Sequence, residues 1–195
     1  MLGGKKVSGS LTALQCTPVG EGAAAVIVAS EDGIKRLGIN PERAVRVTAS
    51  VGRSERVYPQ GIGADAALTR ETVELALAEA KRAPGDLDII ELHDAFTVEE
   101  LHYIESIGLC AEGQGIAMLK EGALDIGGRC AVNPSGGLIA MGHPIGRTGI
   151  GQIGEITMQL RGEARARQHR DARVGLAHMV GIGAVCYVHI LERRG

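Results

Sequence analysis

Two histidines stand out because each lies among residues that could make it reactive. His93 opens the run His-Asp-Ala-Phe, and His143 lies in the turn Gly-His-Pro. An imidazole titrates near neutral pH, so two histidines that share a pocket can act as a general base and as a donor to a developing oxyanion. Each also has a structural alternative. His93 could bond to backbone at a strand end, Asp94 could cap the helix that follows, and His143 could lie in a plain glycine-rich turn.

The stretch from residue 133 to residue 154 can bend the backbone tightly around His143. Its glycines permit sharp turns and close approach by another group; they are Gly136, Gly137, Gly142, Gly146, Gly149, Gly151 and Gly154. Apolar residues three and four apart, from Ile150 to Leu160, predict a helix over 147–162. Because an interior glycine costs a helix about 1 kcal/mol relative to alanine, we expect another helix to pack unusually close. The helix N-terminus would favour negative charge beside His143.

Other residues that could carry chemistry are less distinctive. His178 precedes Gly181 and Gly183 and could face the same pocket, whereas we expect His189 to be a satisfied core or edge histidine. The two glycines do not form a dinucleotide-binding fingerprint, because no helix follows them. Histidine and cysteine spacings do not predict a metal site. None of the cysteines is an evident nucleophile at a turn into a helix; they are Cys16, Cys110, Cys130 and Cys186.

The composition limits the class of protein. A net charge of -2 over 195 residues gives no electrostatic case for binding nucleic acid or an anionic membrane. With one Phe, three Tyr and no Trp, the core must be mainly aliphatic, which suits closely packed α/β layers. The cysteines lack a disulfide-framework spacing, and neither a long apolar run nor a signal peptide is evident, so we expect a cytoplasmic location.

Hydrophobic periodicity predicts alternating strands and helices, and hence a mixed α/β sheet. Strands are expected at 23–29, 45–51, 87–92, 174–180 and 184–191, helices at 31–37, 68–81, 97–107 and 113–121, and a loop at 53–63. Thr69 is the expected N-cap of the second helix, and Thr97 with Glu100 forms an expected capping box on the third. The strand at 87–92 would deliver His93 to the carboxyl edge of the sheet, where α/β proteins place their sites.

Several motifs together resemble the C-terminal half of a thiolase, closest to the sterol-carrier-protein type. His-Asp-Ala-Phe at 93–96 is similar to the HDCF or HDAF variant of the family's NEAF block. Asn-Pro-Ser-Gly-Gly at 133–137 and Gly-His-Pro at 142–144 resemble the stretch that leads into the family's catalytic histidine. Glu-Gly-Ala-Ala-Ala at 21–25 resembles the last strand of the family's first half, and residues 178–184 resemble its final motif.

This resemblance implies a fold and a set of roles. The fold would be a thiolase-like half, an α/β unit with a five-stranded mixed sheet and helices on both faces. Residues 1–42 would be the last strand and helix of the N-terminal half, and residues 43–195 the C-terminal domain. His143 would activate a nucleophilic cysteine, and His93 would stabilise the oxyanion. Acyl-CoA would be the substrate, without cofactor or metal, contacted by Asn133, Ser135, Gly136, Gly142, His178, Gly181 and Gly183.

Departures from the family pattern imply dependence on a partner. The family's acyl-accepting cysteine lies in its first half, and its second, proton-carrying cysteine lies in the final motif or in HDCF. The positions that match this second cysteine hold Ala95 and either Met179 or Val180. The run at 23–29 predicts a strand buried on both faces, which needs sheet neighbours on each side. We therefore expect association with a thiolase N-terminal half or with copies of the chain; a small OB-fold protein is a further candidate partner.

Two classes of function remain open at this point. One is a thiolase-like acyltransferase that forms or cleaves carbon–carbon bonds, or a retro-aldol variant of it, inactive as an isolated chain. The other is a non-catalytic subunit that binds acyl-CoA or lipid, or that acts as a scaffold. A partner that carries the missing cysteine would favour the first class.

Overall fold

A computed structural model describes residues 4–55, 64–181 and 185–194. Within these ranges the strands are β1 (Lys6–Ser8), β2 (Leu11–Thr12), β3 (Val45–Ser54), β4 (Ile89–Glu91), β5 (Ala131–Val132), β6 (Val174–Gly181) and β7 (Val185–Arg193). The α-helices are α1 (Glu31–Arg36), α2 (Ala64–Ala80), α3 (Thr97–Ile107), α4 (Gly115–Lys120), α5 (Gly137–Met141) and α6 (Thr148–Arg161). Single 3-10 turns link several of them, including Ile145–Arg147 just before α6.

The main sheet has five strands in the order β3-β7-β6-β4-β5. The pairs β3–β7 and β6–β7 are antiparallel, whereas β4 is parallel to both β5 and β6. The predicted five-stranded mixed sheet is therefore confirmed. Strands β1 and β2 form a separate antiparallel pair.

One face of the sheet, which we call the closed face, is covered by α2 and α3. Alternate residues of β6 and β7 point into it, because side chains alternate between the two faces along a strand. Leu176 and Ile190 are fully buried there, against Val73 of α2 and Ile104 of α3. This face contains the larger apolar core of the molecule.

Helix α6 covers part of the opposite face. Its Ile156 and Leu160 pack with Ile89 of β4, Ala177 of β6 and Leu191 of β7. Helices thus lie on both faces of the sheet, as predicted. Gly175 permits the close approach of α6, because a Cβ there would collide with the Ile156 side chain.

The rest of that face is uncovered, and we call it the open face: the outward side chains of β3 and β7 beside α6. Val47 is 52% exposed and Tyr187 is 50% exposed. A cavity of about 220 Å³ lies between α6 and strands β6 and β7, and its lining includes Ile153, Met179 and Tyr187. Apolar surface is therefore accessible next to α6.

The strand predicted at 23–29 is wrong for this chain. Those residues have no regular secondary structure and are exposed, with Ile27 at 90% and Val28 at 86%. The run is apolar enough for a buried strand, but no strand pairs with it among the residues that the structure describes. Within the described ranges no helix packs on the α6 glycines, since Gly149 contacts Met179 of β6 and a Cβ at Gly154 would meet open space. The close packing of another helix on these glycines stays a prediction.

Two predicted helix caps need correction. Thr69 lies inside α2, because that helix begins at Ala64, and its side chain is fully buried. Helix α3 has the predicted bounds, but its N-cap is Phe96, whose N–H donates to the Glu99 carboxylate. Thr97 and Glu100 therefore stand one position too far along the helix to form the capping box.

The remaining predicted elements occur with small changes at their ends. Most of the loop predicted at 53–63 lies outside the described residues, as does Ala184 at the start of the last predicted strand. In the part of the chain that the structure describes, no helix has the length and hydropathy to cross a membrane.

Candidate functional site

The structure brings His93 and His143 together. His93 follows β4 by two residues, and His143 follows α5. Their Nε2 atoms are 3.4 Å apart, and the rings meet edge to face with centroids 5.0 Å apart. The second ring nitrogen of His143, Nδ1, lies 2.9 Å from the hydroxyl of Thr148, the first residue of α6. The predicted pair therefore forms one site at the carboxyl end of β4.

Both histidines are neutral at pH 7. Burial, reinforced by the nearby His143, lowers the pKa of His93 to about 4. Burial also lowers the pKa of His143. A neutral imidazole can take a proton from a thiol, and its N–H can donate to an oxyanion. The pair can serve both roles at once if each ring carries its proton on the appropriate nitrogen.

A buried acid on β4 holds the loop that leads to α5. Ser135 donates its N–H and its hydroxyl to the Glu91 carboxyl, at 3.1 Å and 2.7 Å. The Ser135 hydroxyl also accepts the Gly137 N–H at 3.2 Å. Burial raises the pKa of Glu91 to about 8, against the lowering effect of the Ser135 bonds. Glu91 is therefore largely protonated at neutral pH and costs less to bury than a carboxylate would.

A second acid at the end of β4 caps α5. Asp94 accepts the Leu138 N–H at 2.7 Å and the Ile139 N–H at 3.4 Å. Asp94 thus caps α5, and the alternative that it caps α3 is wrong. Burial raises its pKa to about 6, partly offset by these two hydrogen bonds. Helix α5 ends immediately before the turn that carries His143. Glu91 and Asp94 therefore fix the position of His143 relative to His93.

Other predicted contact residues shape the same loop. Asn133 takes a left-handed φ of 47° and accepts the Leu92 N–H on its side-chain oxygen at 2.8 Å. Gly136 and Gly142 also have positive φ, 103° and 85°, which favours glycine at both positions. A Cβ at Gly137 would collide with the Asp94 carboxyl. These residues position His143, and their contact with substrate stays a prediction.

His178 is placed differently from the histidine pair. It is completely buried on β6, where its Nε2 lies 2.9 Å from the Thr69 hydroxyl and its ring packs edge to face on Tyr103. Burial, reinforced by His93, lowers its pKa to about 3. His178 lies near His93 and makes no hydrogen bond to His143. Gly181 ends β6, whereas Gly183 lies outside the described residues.

The other expectations for histidine and cysteine are met where they can be checked. His189 is a satisfied, half-buried histidine on the inner strand β7, since its Nδ1 lies 3.0 Å from the Ser50 hydroxyl. Cys186 is a buried residue of β7, as expected. Burial raises the pKa of Cys186 to about 11, that of Cys130 to about 12, and that of Cys110 as well. These thiols resist ionisation and are poor nucleophiles.

Residues 16–20 form a strap across the site that the sequence analysis missed. Thr17 donates its N–H to Ala95 and its hydroxyl to the Leu138 carbonyl. Pro18 accepts the His143 N–H at 2.8 Å. The strap therefore ties the segment that carries His93 to the turn that carries His143. No periodicity marks it, because it pairs through isolated bridges.

The sequence did carry a signal for Glu91, because a carboxyl in an otherwise apolar strand needs a reason to be there. Thr69 and Thr148 offered no comparable signal, since both fit an ordinary helix.

Around the two histidines, exposed apolar side chains form a rim that includes Val19, Phe96, Met141 and Ile145. Such a rim can contact an acyl chain or a protein partner.

Comparison with known proteins places this site in a family. Residues 64–193 match the family described as thiolase C-terminal domain-like. The chain is 40% identical to sterol carrier protein 2 of Homo sapiens, with 98% of the chain aligned to 36% of that protein. It is 41% identical to the benzoylsuccinyl-CoA thiolase subunit BbsB of Thauera aromatica, over 91% of the chain and 46% of that subunit.

Two further comparisons agree. Acetyl-CoA acetyltransferase of Methanothermobacter thermautotrophicus is 36% identical, over 96% of the chain and 49% of its own length. A solved structure, the Ltp2-ChsH2(DUF35) aldolase, shares the fold with a TM-score of 0.74 at 22% identity, over 98% of this chain and 50% of that one. The chain thus spans about a third to a half of the length of these relatives.

Proposed function

The chain belongs to the thiolase family through its C-terminal domain, and from this premise we propose that it is the C-terminal part of an acyltransferase acting on acyl-CoA thioesters. The reaction would be Claisen condensation or thiolytic cleavage. The single observation that carries the proposal is the histidine pair, whose Nε2 atoms lie 3.4 Å apart at the carboxyl end of β4. The resemblance to thiolases assigns catalytic roles to both histidines.

In this proposal His143 is the base. Its Nε2 would take the proton of a cysteine thiol, and the thiolate would attack the thioester carbonyl. His93, less exposed and behind it, would donate an N–H to the oxygen that becomes negative. The Thr148 hydroxyl at Nδ1 and the α5 turn would hold the His143 ring in place.

The nucleophile would come from a thiolase N-terminal half. The buried cysteines of this chain have raised pKa values, and Cys16 directs its thiol to the Thr12 carbonyl. The exposed run at 23–29 and the open face offer an apolar segment and an apolar surface that such a half could cover. Both features support association with a second polypeptide.

The test is to purify the chain from its native host and to identify co-purifying proteins by mass spectrometry. We expect a thiolase half with a cysteine before a helix, and thiolysis of acetoacetyl-CoA by the complex. His143→Ala should reduce the rate by about 1,000-fold, the scale of a lost general base. His102→Ala, which removes an exposed histidine of α3, is the matched control and should keep the wild-type rate.

Two results would overturn the proposal. One is purification of the chain with itself alone, which would favour a subunit that binds acyl-CoA or lipid without catalysis. The other is an active complex in which His143→Ala turns over as fast as the wild type.

A further inference from the structure

His93 has a nitrogen that the proposed acyl transfer leaves unused. Its Nε2 faces His143, but its Nδ1 is buried and has no hydrogen-bond partner among the described residues. A buried ring nitrogen without a partner is costly in either tautomer, and such a group calls for an explanation. The nearest acid is Glu99, with Oε2 at 3.8 Å.

Glu99 is held in position to serve that nitrogen. It lies in the first turn of α3, and its Oε2 accepts the Phe96 N–H at 3.3 Å. Its side chain is 23% exposed, so it borders both the buried ring and solvent. The gap of 3.8 Å exceeds a hydrogen bond, but catalytic contacts are often long in the absence of substrate.

The acids around Glu99 favour its protonated form. Burial raises its pKa to about 7, against the Phe96 N–H, and Asp65 of α2 and Asp94 of the strand end add to the rise. Tyr103, one turn along α3, faces the same region, but its own pKa is raised far above neutrality. Glu99 can therefore both hold and release a proton near pH 7.

We propose that Glu99, His93 and His143 form a proton relay that connects the reactive histidine to solvent at the start of α3. Its purpose rests on the proposed function. This chain has Ala95 and either Met179 or Val180 at the positions of the family's second cysteine, and the relay would carry the proton that this cysteine carries.

The relay moves one proton in two concerted transfers. At the start Glu99 is protonated and faces Nδ1 of His93, while Nε2–H of His93 donates to the bare Nε2 of His143. The Glu99 proton then moves to Nδ1, and the Nε2 proton moves to His143. The products are a Glu99 carboxylate, a neutral His93 in its other tautomer, and a protonated His143. Reversal returns the proton to Glu99, so no other reactant is consumed.

Glu100 provides a matched control. It is the next residue on α3, it is also half-buried, and burial together with Asp94 raises its pKa to about 7. Among the described residues Glu100 forms no hydrogen bond or ion pair with either histidine. A variant there changes the local charge as much as a variant at Glu99 while leaving the relay intact.

The experiment follows the tautomer of His93 by NMR in the full chain with ¹⁵N-labelled histidine. The pKa of Glu99 is about 7. As the pH rises through this value, Nδ1 of His93 should change from an unprotonated to a protonated nitrogen. Glu99→Gln should abolish this transition, while its amide oxygen can still accept the Phe96 N–H. Glu100→Gln should leave the transition unchanged. A transition that persists in Glu99→Gln, or that is lost equally in Glu100→Gln, overturns the relay.

A second measurement needs no variant. In the wild-type chain the ¹³C signal of the Glu99 carboxyl should titrate with the same midpoint as the His93 nitrogens, because coupled groups share macroscopic transitions. Midpoints that differ by more than about one pH unit contradict the relay. Neither measurement uses acyl-CoA or a partner, so the relay can fail while the proposed acyl transfer stands, and the reverse.

Discussion

The closed and open faces of the sheet show how differently one strand can be used on its two sides. Along β7, Val188 and Ile190 are fully buried in the closed-face core, whereas Tyr187, which points to the opposite face, is half exposed. The closed face finds all its apolar partners within the chain. The open face has apolar side chains of the same kind without a cover, which is the pattern of an interface. Stability should therefore depend mainly on the closed face, and association on the open face.

The covered part of the α6 side differs in a second way. Helix α6 buries polar residues beside its apolar ones, including Gln152, Glu155 and Gln159. Glu155 is paired with Arg167 at 2.8 Å, and Gln159 bonds to the Arg167 carbonyl. Glu91 belongs to the same side, because Glu155 is among the charges that raise its pKa. The α6 side thus buries carboxyl and amide groups beside its apolar residues.

The largest effect is expected from a truncation on the closed face. Ile190→Ala should lower the free energy of unfolding by about 3 kcal/mol, because it removes a fully buried side chain and leaves a cavity. Urea unfolding followed by circular dichroism measures this loss. Ile190→Val is the graded control and should cost about 1 kcal/mol. A loss below that of the valine variant would show that the closed face does not carry the stability.

A pH-dependent effect is expected on the α6 side. Glu91 has a pKa of about 8 in the fold, above the ordinary 4.5. A raised pKa stabilises the fold below pH 4.5, and that stabilisation is lost as pH rises toward 8, at about 1.4 kcal/mol per pH unit. Glu91→Gln keeps a hydrogen-bonding group beside Ser135 but removes this slope.

The measurement for Glu91 is urea unfolding of both proteins at several pH values between 5 and 9. The stability difference should grow in favour of Glu91→Gln as pH rises toward 8 and then level off. Parallel curves for the two proteins would contradict the assignment of a protonated acid at the end of β4.

The smallest effect on stability is expected on the open face. Tyr187→Ser should change the free energy of unfolding by less than about 1 kcal/mol, because the side chain is half exposed. The same variant should weaken co-purification of the chain with its partner. If Tyr187→Ser unfolds the chain as strongly as Ile190→Ala, the two faces do not divide stability from association.

Much of the fold could be predicted from local pattern. The helix at 97–107 has the predicted bounds, and the strands around Val47 and Leu176 lie where alternation placed them. These elements follow from neighbours in sequence, because hydrophobic periodicity reports which side chains share a face. The predicted helix caps were wrong by one position or more, because a cap depends on where the first turn begins. Thr69 instead lies inside α2 and makes a buried contact with His178.

The candidate site was predictable in its reactive groups and not in its supports. His93 and His143 stood out by type and by their neighbours in sequence. Asp94, Glu91 and the strap at 16–20 act through bonds to residues 44 or more positions away, such as Leu138 and Ser135. No local spacing reveals such bonds, because they form only when β4, α5 and the strap meet.

The sequence by itself determined the order of the elements, the α/β class, the two histidines and an apolar run at 23–29 that calls for a sheet. Only the tertiary structure decided that the histidine nitrogens meet at 3.4 Å, that Asp94 caps α5, and that the run at 23–29 and the face around Tyr187 are exposed. The physical reason is how far apart along the chain the interacting residues lie. Periodicity depends on neighbours along the chain, whereas contact and exposure depend on which distant segments are present to pack.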